Sequence, residues 1–128
     1  NSLRIDTILV TADVKSLYTM IPQDEGIGAL LEVCAEILPF PAHITKTALN
    51  LVLKMNSFSF NGNMYNQKMG VAMGLPISPT LAIIFMHKLE TKLLALCKLV
   101  PVLYRTYIDD VFFVWTHGER TLLEFLSQ

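Results

Sequence analysis

Two apolar runs, residues 103–108 and 111–115, meet at a pair of adjacent aspartates, Asp109 and Asp110. Runs of this length, rich in Val, Ile, Tyr, Phe and Trp, read as strands, and a two-residue gap between them reads as a hairpin. Turns of that size need backbone of positive φ, which Asn-Gly or Asp-Gly supplies at little cost and Asp-Asp does not. Neighbouring carboxylates beside apolar strands also repel each other. The chain breaks a local rule there, and such breaks concentrate at functional sites. The hairpin thus constrains the fold and marks a candidate site together.

An earlier run, residues 8–14, is equally rich in β-branched and aliphatic residues and carries Asp13 near its end. It predicts a buried strand. Residues 16–22 predict an irregular turn closed by Pro22. Residues 23–38 have helical periodicity, with Ile27, Leu30, Leu31, Cys34, Ile37 and Leu38 on one side. Gly26 and Gly28 weaken its first turn, and Pro39 and Pro41 stop it. A second helix is predicted over 44–55, with Leu49, Val52 and Leu53 as its stripe. Residues 57–60 and 64–67 flank Asn61-Gly62, the strongest short hairpin signal. Ser78 at the cap and Pro79 at the first helical position start a third helix, with Leu81, Ile84, Phe85, Leu89 and Leu96 as its buried stripe. A last helix follows Thr116, whose spacing to Glu119 is that of a capping box, with Leu122, Leu123 and Leu126 on its apolar side. Helices mixed with hairpins favour α+β over a doubly wound fold.

Composition then bounds the setting. Hydrophobic residues make up 52% of the 128 and charged residues 16%, less charge than a small self-contained domain normally carries. No stretch approaches the roughly 20 uninterrupted apolar residues of a spanning helix, so a membrane segment is not expected. Residues 1–6 carry no secretory pattern. The remaining expectation is a core segment whose covering neighbours lie outside it. The net charge of −1 leaves no basic footprint for nucleic acid, so a phosphate-gripping surface would have to lie elsewhere. Cys34 and Cys97 have no metal spacing and read as reduced, buried thiols, which fits an intracellular location. His43, His87 and His117 are scattered, with no ligand spacing.

Carboxylate oxygens are hard ligands suited to Mg²⁺, with Mn²⁺ as a substitute. A divalent cation would relieve the repulsion between Asp109 and Asp110. Asp13, ending another strand, could supply a third carboxylate if the sheet joins the strand ends. Three such groups can hold two metals roughly 3.5–4 Å apart, an arrangement that serves in-line phosphoryl transfer. Spacing alone leaves this open against a plain strand-end acid and a solvated turn.

The surrounding motifs decide the matter. Tyr107-Ile108-Asp109-Asp110 is the Tyr-x-Asp-Asp signature of reverse transcriptases. Asp13-Val14-Lys15-Ser16-Leu17-Tyr18 resembles the family's preceding aspartate motif, with an aromatic five positions after the acid. The segment from Gly70 through Val71, Ala72, Met73, Gly74, Leu75 and Pro76 to Pro79 resembles the glycine-rich motif between them, in the right order. The phrase Ser16-Leu17-Tyr18-Thr19-Met20-Ile21-Pro22 resembles Penelope-like retroelements. So do Phe58-Ser59-Phe60-Asn61-Gly62, Tyr65-Asn66-Gln67 and Trp115-Thr116-His117-Gly118-Glu119. Met73 stands where most other reverse transcriptases carry glutamine, which suits the same group. The resemblance covers essentially the whole chain.

The resemblance implies a polymerase palm: an antiparallel sheet with helices packed mainly on one face, fingers and thumb incomplete or absent, and a domain truncated at both ends. It implies an RNA-directed DNA polymerase using two Mg²⁺ ions, an RNA template, a DNA primer and deoxynucleoside triphosphates, in the nucleus. Asp13 and Asp109 would ligate the metals with Asp110 in support, and the Val14 carbonyl would add a ligand. Tyr18 would gate against the ribose 2′-hydroxyl, where its alternative is a core aromatic. Met73 and Gly74 would meet the nucleotide. Gln67, Gly70, Pro76 and Tyr107 would meet template or primer, against the plainer readings of hairpin, turn and strand residues. Competing readings are an RNA-directed RNA polymerase, which usually carries Gly-Asp-Asp and no aromatic gate, and a non-catalytic remnant or domesticated nucleic-acid-binding module.

Overall fold

The computed structural model describes residues 7–37 and 39–127. The element order is β1 (Ile8–Asp13), α1 (Leu17–Met20), α2 (Gln23–Ile37), α3 (Ala42–Lys54), β2 (Ser57–Phe60), β3 (Asn63–Asn66), α4 (Ser78–Leu96), β4 (Leu103–Tyr107), β5 (Asp110–Trp115) and α5 (Glu119–Leu126). The chain divides into two compact units, one formed by Asn1–Lys15 with Leu89–Gln128, the other by Ser16–Lys88. Helix α4 contributes its first part to the second unit and its remainder to the first.

The first unit is built on a three-stranded sheet of order β1-β5-β4, antiparallel throughout. Strand β5 is aromatic and β-branched, which suits a central strand. Its register runs from Ile8↔Trp115 to Asp13↔Asp110 against β1 and from Leu103↔Val114 to Tyr107↔Asp110 against β4. Because side chains alternate, Val111, Phe113 and Trp115 share one face. They form a core with Leu122 of α5, joined by Ile8, Val10, Val14, Tyr104 and Phe125. The Trp115 ring lies 4.9 Å from Phe125 and 6.4 Å from Phe113, centroid to centroid. Its indole Nε1 donates to Gly118 O at 3.0 Å and Thr121 Oγ1 at 3.2 Å, so burying it leaves no polar atom unsatisfied.

The second unit is largely helical. Ile21, Ile27, Leu30, Leu49, Leu53 and Leu81 are among its buried residues. Helix α2 approaches the first part of α4 closely at Gly26, where a Cβ would sit 3.0 Å from Leu81 Cδ2. The β2–β3 hairpin turns through Asn61 and Gly62, at φ 50 and 77. All eight of its strand residues are exposed. Phe58 and Tyr65, a cross-strand pair, stack with centroids 5.6 Å apart.

Several expectations need correction. The turn after β1 contains a short helix, α1, entered through Ser16 in left-handed backbone. The hairpin at the acids turns through Ile108 and Asp109, and Asp110 already pairs as the first residue of β5. Ser78 is itself the first residue of α4, and its buried hydroxyl donates to Ala72 O at 2.6 Å. Thr116 forms no capping box, because α5 starts at Glu119 behind Gly118 with no side-chain cap. The helical stripes are narrower than predicted. Ile37, Val52, Leu89, Leu96, Leu123 and Leu126 are all exposed, while Leu38 lies outside the described residues. Cys34 and Cys97 are half-buried. No helix among the described residues is long and apolar enough to cross a membrane.

Candidate active site

The acids gather at one end of the sheet in the first unit. Asp13 closes β1 and Asp110 opens β5, and the two are direct cross-strand partners. The Val14 amide donates to Asp109 O at 2.8 Å. A bond linking the residue after one partner to the residue before the other identifies Asp13↔Asp110 as a non-hydrogen-bonded pair. Side chains of such pairs stand closest, with Cα atoms about 4.5 Å apart. Tyr107 is Asp110's partner on its other side, so Asp13, Asp110 and Tyr107 form one row across three strands, on the face opposite the core cluster. Asp13 and Asp110 are exposed and Asp109 is half-buried in the turn. Tyr107 is 74% exposed, which places it outside the core that a strand aromatic would otherwise join.

The turn brings backbone strain to the acids. Ile108 adopts φ 56, a left-handed conformation that is a true outlier for a β-branched residue. It costs on the order of 1–3 kcal/mol and persists only where surrounding structure dictates it.

The glycine-rich segment is organised within the second unit. Gly70 has φ +72, and a Cβ there would lie 2.6 Å from Thr19 Cα and 2.8 Å from Tyr18 O. Only glycine fits. The Val71 amide donates to Tyr18 O at 2.7 Å, and the buried Gln23 side chain donates to Gly70 O at 2.9 Å and Leu53 O at 3.3 Å. The loop is thereby tied to the turn carrying Tyr18, which is half-buried. Gly74, at φ +97, has open space around its Cα.

Gln67, Met73 and Gly74 line one groove of about 550 Å³, together with Thr19, Asn56 and Phe58. The Gln67 side chain is engaged there, donating to Met69 O at 2.9 Å and accepting from Asn56 Nδ2 at 3.0 Å. Met73 and Pro76 are exposed. Gly70 and Pro76 are not among the groove's lining residues. Neither Asn56 nor Phe58 is singled out as a site residue from the sequence, although Phe58 stands in one of the motifs that carry the resemblance.

The sequence profile of the family described as reverse transcriptase (RNA-dependent DNA polymerase) matches residues 1–128. The chain belongs to the reverse transcriptase family. No curated protein matches it in sequence. Among solved structures, it is similar to an apo telomerase from Candida tropicalis truncated from its C-terminal domain, with a TM-score of 0.71 at 13% identity. The match covers 94% of this chain and 26% of that one, so this reverse transcriptase chain spans about a quarter of the telomerase chain. At that identity the likeness shows the fold: mixed α and β, with antiparallel sheets.

Reverse transcriptases work with divalent metals, and the donor set can be judged against one. Among the described residues, no group of three or more His, Cys, Asp or Glu side chains converges as if around an ion. The backbone nonetheless sets two carboxylates directly opposite each other and a third one residue away. Like charges placed so are destabilising without a counter-ion. All three are hard oxygen donors at an exposed edge. The residues therefore fit a hard divalent cation by chemistry and placement, with side-chain rotation left to complete the ligand set.

Proposed function

We propose that this chain is the palm segment of an RNA-directed DNA polymerase of a Penelope-like retroelement, extending a DNA primer on an RNA template. The observation that carries the reading is the row Asp13–Asp110–Tyr107, with Asp109 in the adjoining turn. Asp13 and Asp109 hold the metal ions with Asp110 in support, and the Val14 carbonyl adds a ligand. When bound, Mg²⁺ (or Mn²⁺) supplies an acidified primer 3′-hydroxyl and a stabilised leaving oxygen.

The remaining residues bind and orient. Tyr107 packs beside the primer terminus from an exposed strand position. Tyr18 bars the ribose 2′-hydroxyl, its turn fixed by the contacts to Gly70 and Val71. Met73 and Gly74 meet the incoming deoxynucleotide, and Gln67, Gly70 and Pro76 meet the template side. Fingers and thumb come from other parts of the same polypeptide and carry the basic grip that a chain of net charge −1 lacks. The site of action is nuclear.

The test is incorporation by the complete polypeptide carrying this chain, on an RNA template with Mg²⁺. Asp109→Asn lowers incorporation about 10³-fold, several kcal/mol of barrier. Activity that survives the substitution refutes the reading. The 128 residues alone extend no primer.

A further inference from the structure

Arg105 is the single basic residue in the three strands β1, β4 and β5. It pairs with Phe112 in the register, two positions before Tyr107, and so lies on the same sheet face as Tyr107, Asp110 and Asp13. Its row is Thr11, Phe112 and Arg105; the next is Leu9, Val114 and Leu103. Among the residues of β1, β4 and β5, Arg105 is the only charge on this face outside the acid row.

An arginine near two carboxylates would be expected to neutralise them, because diagonal neighbours on a sheet stand about 7–8 Å apart and long side chains cross that gap. Arg105 does not. It is exposed, its Nη1 donates to Tyr104 O at 2.9 Å, and no ion pair engages it among the described residues. The guanidinium is left with most of its donors, in the fork geometry that matches phosphate oxygens. β4 is an edge strand, and edge strands use charge to deter pairing with other chains. Such a guard accounts for a charge but not for its sharing a face with the acids.

We infer that Arg105 binds a backbone phosphate of the primer strand, one or two linkages behind its 3′ terminus. The assignment rests on the polymerase reading of the acid row. With the reacting 3′ end at Asp13–Asp110–Tyr107, the strand recedes over the sheet face towards the Arg105 row. Two residues of antiparallel strand measure about 6.8 Å. One nucleic-acid strand rises about 3.4 Å per phosphate along its axis, so the distance corresponds to about two nucleotides. On that reading, metal ions held by the acid row would balance the triphosphate of the incoming nucleotide. A receding primer has no such ion, and its phosphates would face carboxylates without Arg105.

The experiment uses the complete polypeptide and primers bearing one neutral methylphosphonate at each of the last five linkages in turn. Wild type loses affinity roughly three- to tenfold when the first or second linkage is neutral. Arg105→Gln binds the unmodified primer–template weaker by a similar factor, and its log–log salt slope falls by about one. It is indifferent to those two neutral linkages, and its KM for the nucleotide stays within about twofold. Arg105→Lys, which preserves the edge charge, keeps the slope. A solvated edge guard predicts equal linkage sensitivity in wild type and variant, and that result overturns the inference. So does a wild-type scan in which neither linkage matters, which needs no variant to fold. Incorporation that persists in Asp109→Asn defeats the polymerase reading instead, and the Arg105 assignment with it.

Discussion

Both hairpins of this chain turn in two residues, yet they are built on different principles. Between β2 and β3 the turn is Asn61-Gly62, both at positive φ, the residues that tolerate such backbone best. All of its strand positions are exposed, so little but turn chemistry and one aromatic stack specifies its register. Between β4 and β5 the left-handed position is held by Ile108, a residue that resists it. There the register is imposed by a central strand whose Val111, Phe113, Val114 and Trp115 are buried. Large-to-small changes at a fully buried aromatic cost roughly 3–5 kcal/mol, enough to hold a strained turn of 1–3 kcal/mol. Local propensity shapes the first hairpin, and packing overrides it in the second, where the acids sit.

Exchanging the turns attacks this contrast most directly. Installing Asn-Gly at the acids (Ile108→Asn with Asp109→Gly) raises the unfolding free energy of the 128-residue chain by about 1–2 kcal/mol in urea titration, as the strain is relieved. The complete polypeptide bearing both changes loses incorporation. A less stable double variant would show that Ile108 is held by favourable contacts, not against its preference. The converse change, Gly62→Ala, costs about 1–2 kcal/mol, because the new side chain meets open space but left-handed backbone. Its kcat in the complete polypeptide stays within about twofold of wild type. A large drop in kcat there would end the division of labour between the hairpins.

Smaller effects sharpen the account of the acid row. Asp110→Asn removes one member of a like-charge cross-strand pair and raises stability by about 0.2–1 kcal/mol without Mg²⁺. Adding Mg²⁺ narrows that gap, since an ion held by the folded wild type stabilises it through mass action. Equal responses of both chains to Mg²⁺ would argue against a cation at this edge. On the core face, the Tyr104 hydroxyl is pushed up to about 12, first by burial and then by the Glu90 carboxylate that accepts its hydrogen bond at 3.2 Å. Below pH 10 both folded and unfolded chains keep this proton. Between about 10 and 12 only the folded chain keeps it, so stability falls with rising pH. Tyr104→Phe flattens that part of the stability profile.

The sequence legibly carried whatever depended on strong local chemistry. The four longer helices and the strands around 8–14, 57–67 and 103–115 follow from periodicity and from Asn61-Gly62, whereas the short α1 does not. Boundaries failed where tertiary contacts outweighed local signals. Ser78 looks like a cap, but its hydroxyl answers the Ala72 carbonyl of the preceding loop. Thr116 has capping-box spacing, yet Trp115 recruits Gly118 O and Thr121 Oγ1 for its indole and shifts the helix start. The acid turn was misplaced by one residue because no local preference puts isoleucine in left-handed backbone. The motif acids were visible from chemistry and order; that Asp13 faces Asp110 and not Asp109 needed the register. Arg105 was invisible for the same reason, since an isolated basic residue in a strand acquires meaning only from the face it shares.

Trp115 is the chain's only tryptophan, fully buried at the end of β5 farthest from Asp110 and enclosed by Phe113, His117 and Phe125. Nature has thus installed one fluorophore with an unambiguous message. Its emission will shift to the red when the anchored end of the sheet lets water in, and it will stay silent if the proposed metal ions bind at the other end. Unfolding of that end can therefore be followed without a label and without interference from events at the acid row.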